Sequence, residues 1–143
     1  MKYLCLVYVE ESILHALPNH ERVALSEEAM AYCDRLQKIG QLLAASPLHP
    51  VETATTVRVR EGKASTTDGP FAETRELVAG YWLWEVKDMD EAVEWVKRCP
   101  NPMFGPSEIE IRPLYDLEDF ADLVSPEEME REKRLRAEAA HRT

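Results

Sequence analysis

Apolar and polar residues alternate along much of this chain, and the places where alternation fails are the most informative. In Tyr3 to Val9, Tyr3, Cys5, Val7 and Val9 lie on one side of an extended backbone, and Leu4, Leu6 and Tyr8 on the other. Leu77 to Lys87 repeats this, with Leu77, Ala79, Tyr81 and Leu83 against Val78, Gly80, Trp82, Trp84 and Val86. A strand apolar on both faces is a central strand that needs cover above and below. Gln41 to Ser46 reads as another strand, closed by Pro47 and Pro50. Thr53 to Arg60 sets Val57 and Val59 against Thr56, Arg58 and Arg60, and Glu61-Gly62-Lys63 turns it back along Lys63 to Thr67 as a β-hairpin. Glu108 to Leu114 alternates again, Ile109 and Ile111 against Glu108, Glu110 and Arg112.

Helical spacing takes over between these strands. From Glu21 to Gly40 the positions Leu25, Ala29, Tyr32, Leu36 and Ile39 share a face, and Gly40 is placed as the stop. The preceding Glu10 to His20 reads as a linker, with Pro18 and Asn19 at the helix entry. Asp88-Met89-Asp90-Glu91 predicts a capping box, and the helix it opens turns Ala92, Val93 and Val96 inward and ends before Pro100. Ser125-Pro126-Glu127-Glu128 starts a last helix, mostly charged, which is exposed or lies across a partner.

Strand, helix, strand, hairpin, strand, helix, strand is the order of a ferredoxin-like α+β domain with an inserted hairpin, spanning residues 1–115. Residues 116–143 form a charged helical extension. Two helices cover only one face of such a sheet. A second copy of the sheet is the simplest cover for the other, which predicts a homodimer built as a dimeric α/β barrel.

Length and charge narrow the function. The chain has 143 residues, enough for one domain with a sizeable core. A net charge of −10 argues against direct nucleic-acid binding, which needs clustered Lys and Arg. Cys5, Cys33 and Cys99 are widely spaced and read as small hydrophobes in a reducing compartment. No apolar run approaches 18 residues, so no membrane span is expected and a cytoplasmic location follows. Neither a dinucleotide, P-loop or serine-hydrolase motif nor a metal-ligand spacing is present, so neither cofactor nor metal is expected.

The most constrained run is TTDGPFAETRE at residues 66–76. Asp68-Gly69-Pro70 combines a side chain that caps turns, a residue free to take positive φ and a ring that fixes φ. Phe71 follows as a candidate apolar anchor, then Glu73, Arg75 and Glu76. Together with TATTVRVREGK before it, and LVAGYWLWEV and DMDEAVEWVKRCP after it, this run resembles the DGPF branch of the YCII-related (YciI-like) family. The resemblance implies a dimeric α+β barrel with a cleft between sheet and helices or at the subunit junction. Some relatives are proposed enzymes with a His–Asp pair, but the matching positions here hold Ala29 and Asn101, so that chemistry does not carry over. DGPF relatives also accompany sigma factors, which implies an association with transcription.

Candidate chemistry sits around the DGPF corner. Asp68 is a candidate general base or ligand anchor, or it caps its own turn. His49, between Pro47 and Pro50, has the intrinsic pKa for proton transfer, or a structural role. Arg58, Arg60 and Arg112 can hold a carboxylate or phosphate bidentately, Arg58 first among them, or pair with Glu108, Glu110 or Glu61 across strands. Glu73 and Glu76 are paired carboxylates or a solvated pair. Tyr81 and Trp82 form a stacking wall for a flat ligand, or core and interface. These residues describe a dimeric barrel binding a small organic carboxylate, with lyase- or isomerase-type acid–base chemistry at Asp68 and His49. The alternative is a non-catalytic accessory protein that engages a partner through its charged tail.

Overall fold

The computed structural model describes residues 1–71, 76–100 and 107–140. In chain order it carries β1 (Lys2–Glu10), α1 (Glu11–Ala16), α2 (Asn19–Lys38), β2 (Leu42–Pro47), β3 (Thr55–Arg60), β4 (Lys63–Asp68), β5 (Glu76–Glu85), α3 (Met89–Lys97), β6 (Glu108–Pro113) and α4 (Pro126–Ala140). Short 3-10 turns occupy Val51–Thr53 and Leu117–Phe120. The strands form an antiparallel sheet in the order β2-β5-β1-β6, with β3 and β4 paired apart from it. This is the expected ferredoxin-like α+β arrangement with its inserted hairpin. The single chain leaves β2 and β6 as edges and closes no barrel.

One face of the sheet makes the core. Tyr3, Cys5, Val7 and Val9 of β1 and Trp82 and Trp84 of β5 pack against Tyr32 and Leu36 of α2 and Ala92 of α3. Tyr32 sets its ring edge-on to Trp82 at 5.9 Å and donates its hydroxyl to the Trp95 carbonyl at 2.7 Å, tying α2 to α3. Trp82 stacks on Trp84 at 5.8 Å. Ile109 and Ile111 of β6 complete this layer from the side. Burying side chains of this size contributes about 1.5–3 kcal/mol each.

Helix ends follow the chemistry of their residues. After α2 the Gly40 N–H bonds the Gln37 carbonyl at 2.9 Å and the Gln41 N–H the Leu36 carbonyl at 3.0 Å, a Schellman stop. At α3 the Asp88 carboxylate accepts the Glu91 N–H at 2.9 Å. Glu91 reaches back one residue further than a capping box requires, accepting the Lys87 N–H at 2.8 Å while its other oxygen takes the Gln41 amide at 2.8 Å. Ser125 and Glu128 form the full reciprocal box at the start of α4.

Three sequence expectations change. The stretch read as a linker contains α1, whose acidic first residue Glu11 and basic His15 suit a short helix ending before Pro18. Strict alternation in β5 breaks at a bulge beside Val7 and Tyr8. The extra residue pairs Val78 with Tyr8 and Leu77 with Val9, so Val78 shares a face with Tyr81 and Leu77 does not. Phe71 is no anchor: 76% of it is exposed.

A candidate binding face on the open side of the sheet

The other face of the sheet lies away from α2 and α3. Leu4, Leu6 and Tyr8 of β1 point there, opposite Leu83, Tyr81 and Val78 of β5. All six are half-buried, none belongs to the buried core, and α2 and α3 pack on the opposite side. β6 adds polar groups, since Leu4 faces Arg112, Leu6 faces Glu110 and Tyr8 faces Glu108. Backbone register alone therefore sets an acid and a guanidinium into an apolar field.

These groups are connected. The Tyr8 hydroxyl donates to Glu110 Oε2 at 3.2 Å, and Arg112 Nε stands 3.7 Å from Glu110 Oε1. Desolvation, and then the neighbouring Glu110 carboxylate, hold the Tyr8 hydroxyl above the usual phenol range, so it remains a donor at neutral pH. In the single chain Arg112 and Glu110 are largely exposed, where such a pair contributes little. The guanidinium keeps donor capacity for a second anion. Sequence pattern put Tyr8, Glu110 and Arg112 on strand faces and offered Glu110 as a partner for Arg112, but missed the Tyr8 hydroxyl that extends the pair. Its signal was the i, i+2 spacing of Glu110 and Arg112 on a strand that borders β1.

The sequence-predicted site residues divide into separate groups. Tyr81 is on the open face, opposite Leu6 and Ser46. Trp82 points the other way into the core and is 7% exposed, so the two rings share no wall. His49 is exposed just beyond β2, where the Leu48 N–H bonds the Ala79 carbonyl at 2.7 Å. Asp68 is exposed at the end of β4, opposite Thr55. The corner beside it is fixed: Gly69 has a φ of 100°, its N–H bonds the Ala54 carbonyl at 2.7 Å, and its carbonyl accepts the Thr56 hydroxyl at 2.8 Å. Arg58 is exposed on the hairpin opposite Ser65. Glu73 and Asn101 lie outside the described residues, as does the side chain of Glu76.

Gly80 explains how the edge of this face is held. A Cβ there would sit 2.9 Å from the Ser46 carbonyl oxygen and 3.3 Å from Pro47 Cα, so only glycine lets β2 lie this close. From the next loop, the Val51 N–H donates to Glu11 Oε1 at 2.9 Å. Elsewhere, burial pushes the Cys5 and Cys99 thiols up to about 12, which leaves them protonated and unreactive. Among the described residues no group of three His, Cys, Asp or Glu can hold a metal ion, and no helix is long and apolar enough to cross a membrane.

Residues 1–118 match the YCII-related domain. The chain belongs to this family. An uncharacterised protein of Rhizobium meliloti (strain 1021) is 31% identical over 114 residues, which cover 80% of this chain and 92% of that protein. Among solved structures, 5-chloro-2-hydroxyhydroquinone dehydrochlorinase from Burkholderia phenoliruptrix AC1100, in complex with 2,5-dihydroxybenzoquinone, aligns with a TM-score of 0.39 and 15% identity. The alignment covers 82% of this chain and 98% of that one.

Proposed function

We propose that this YCII-related protein is a homodimer whose open sheet faces pack together as an α/β barrel and enclose a site for a small organic anion of the carboxylate type. The observation that carries the reading is the Tyr8–Glu110–Arg112 chain beside the half-buried apolar side chains Leu4, Leu6 and Leu83 on the same sheet face. An aromatic and aliphatic surface from Leu4, Leu6, Tyr81 and Leu83 contacts the organic body. Arg112 binds the carboxylate, and closure by a second chain excludes the water that otherwise screens it.

The same groups support acid–base work of the lyase or isomerase kind. Glu110 is the acceptor for a proton and Tyr8 the donor, already joined by a hydrogen bond. His49 stands beyond the end of β2 as a second proton carrier at the rim.

Two measurements test this. Sedimentation at micromolar concentration is expected to give a dimer. A thermal-shift screen of small carboxylates is expected to raise the midpoint of the native protein, through mass action on the folded state. That rise should vanish in Arg112→Ala and shrink in Tyr8→Phe. A monomer, or silence across a broad carboxylate library, overturns the reading.

A further inference from the structure

The β3–β4 hairpin stands apart from the sheet, and two-stranded hairpins are marginal in water without support. At its root Gly69, Ala54 and Thr56 bond one another, which closes the hairpin on itself. The strand register sorts its side chains by chemistry. Arg58 opposite Ser65 and Arg60 opposite Lys63 share one face, while Val57 and Val59 lie on the other. The valines are 60% and 70% exposed. None of the three cations has an ion-pair partner among the described residues. Arg60 and Lys63 are directly opposed like charges, an arrangement that destabilises a strand pair unless an anion joins them.

One segment of the chain has the complementary composition. Residues 115–130 hold acids such as Glu118 and Asp122 and no Lys or Arg. Tyr115 and Leu123 in the same segment are 73% and 78% exposed. This acidic, partly apolar stretch meets both needs of the hairpin, and most of it lies beyond the family match at residue 118.

We infer that in the dimer the acidic segment 115–130 of one chain clasps the basic hairpin of the other, twice by the two-fold axis. This inference rests on the dimer proposed above. It assigns the hairpin and the tail a task that the sheet face does not perform: locking the pair and fixing which copies associate through charge.

Charge exchange tests it in the full-length protein by sedimentation equilibrium. Arg58→Glu, Arg60→Glu and Lys63→Glu together should raise the dimer dissociation constant at least about tenfold, with unchanged far-ultraviolet circular dichroism. Adding Glu118→Lys and Asp122→Lys to the same chain should restore most of the loss. High salt should weaken the native dimer and strengthen the hairpin-reversed one, whose new acids face the acidic segment. A second experiment mixes a Ser65→Cys chain with a tagged Leu123→Cys chain. It should trap a mixed disulfide that neither gives alone. A wild-type monomer would overturn both the sheet-face reading and the clasp. A dimer indifferent to charge reversal, a reversal that the second set fails to rescue, or a disulfide formed only within one chain carrying both cysteines would overturn the clasp alone.

Discussion

β1 has two faces with nearly equal apolar content and unequal surroundings. Tyr3, Cys5, Val7 and Val9 disappear beneath α2 and α3, whereas Leu4, Leu6 and Tyr8, from the same strand, stay half in solvent. The covered side is wholly apolar where β6 meets it, at Ile109 and Ile111, and the open side receives Glu110 and Arg112. The difference shows that hydrophobicity alone does not mark a core. One face is finished by its own chain, and the other leaves the polar groups Glu110 and Arg112 largely exposed.

Substitutions on the two sides should therefore fail differently. On the covered side, Leu36→Ala should cost about 2–5 kcal/mol of unfolding free energy in urea, whatever the protein concentration. If the loss depends on concentration, the covered face is not independent of assembly. Gly80→Ala, at the edge shared by both faces, should cost about 1–3 kcal/mol, because the new methyl meets the backbone of Ser46 and Pro47 and neither can yield by rotating. On the open side, Leu6→Asp should leave the isolated chain folded by circular dichroism and raise the dimer dissociation constant by about tenfold or more. Unchanged sedimentation would make the two faces equivalent and remove the distinction.

Two titrations sharpen the comparison further, with smaller effects. Folding raises the Cys5 and Cys99 thiols to about 12, chiefly by burial. Their stabilising effect is complete below the free-thiol value of about 8.5 and declines as pH rises from there toward about 12. Alkylation of both thiols should be slow in the native protein and fast in urea. Glu91 is shifted the other way: the Lys87 N–H, and then the Gln41 amide, lower its carboxyl. That contribution is present above the ordinary carboxylate range and is lost as pH falls through the lowered value. Glu91→Gln should flatten the acid limb of the stability profile slightly and leave its alkaline limb unchanged.

The sequence pattern made some of this legible and left other parts hidden, for identifiable reasons. The two-sided strands, the hairpin turn at Glu61-Gly62 and the caps at Asp88 and Ser125 are local, so a few neighbouring residues determine them. The bulge in β5 left no such mark, because a run apolar on both faces reads the same after a shift by one residue. Glu10 to Ala16 has too few residues for helical spacing to show. The Tyr8–Glu110–Arg112 chain depends on the register between strands 102 residues apart, as counted from Tyr8 to Glu110. Residue type drew attention to Asp68, His49 and Arg58, but the single chain holds them at exposed positions away from that chain.

The bond from the Val51 N–H to Glu11 is small in energy and large in leverage. It links the first residue of α1, just past the end of β1, to the 3-10 turn from which the hairpin rises. Replacing Glu11 with alanine would remove that bond while every strand of the main sheet kept its neighbours.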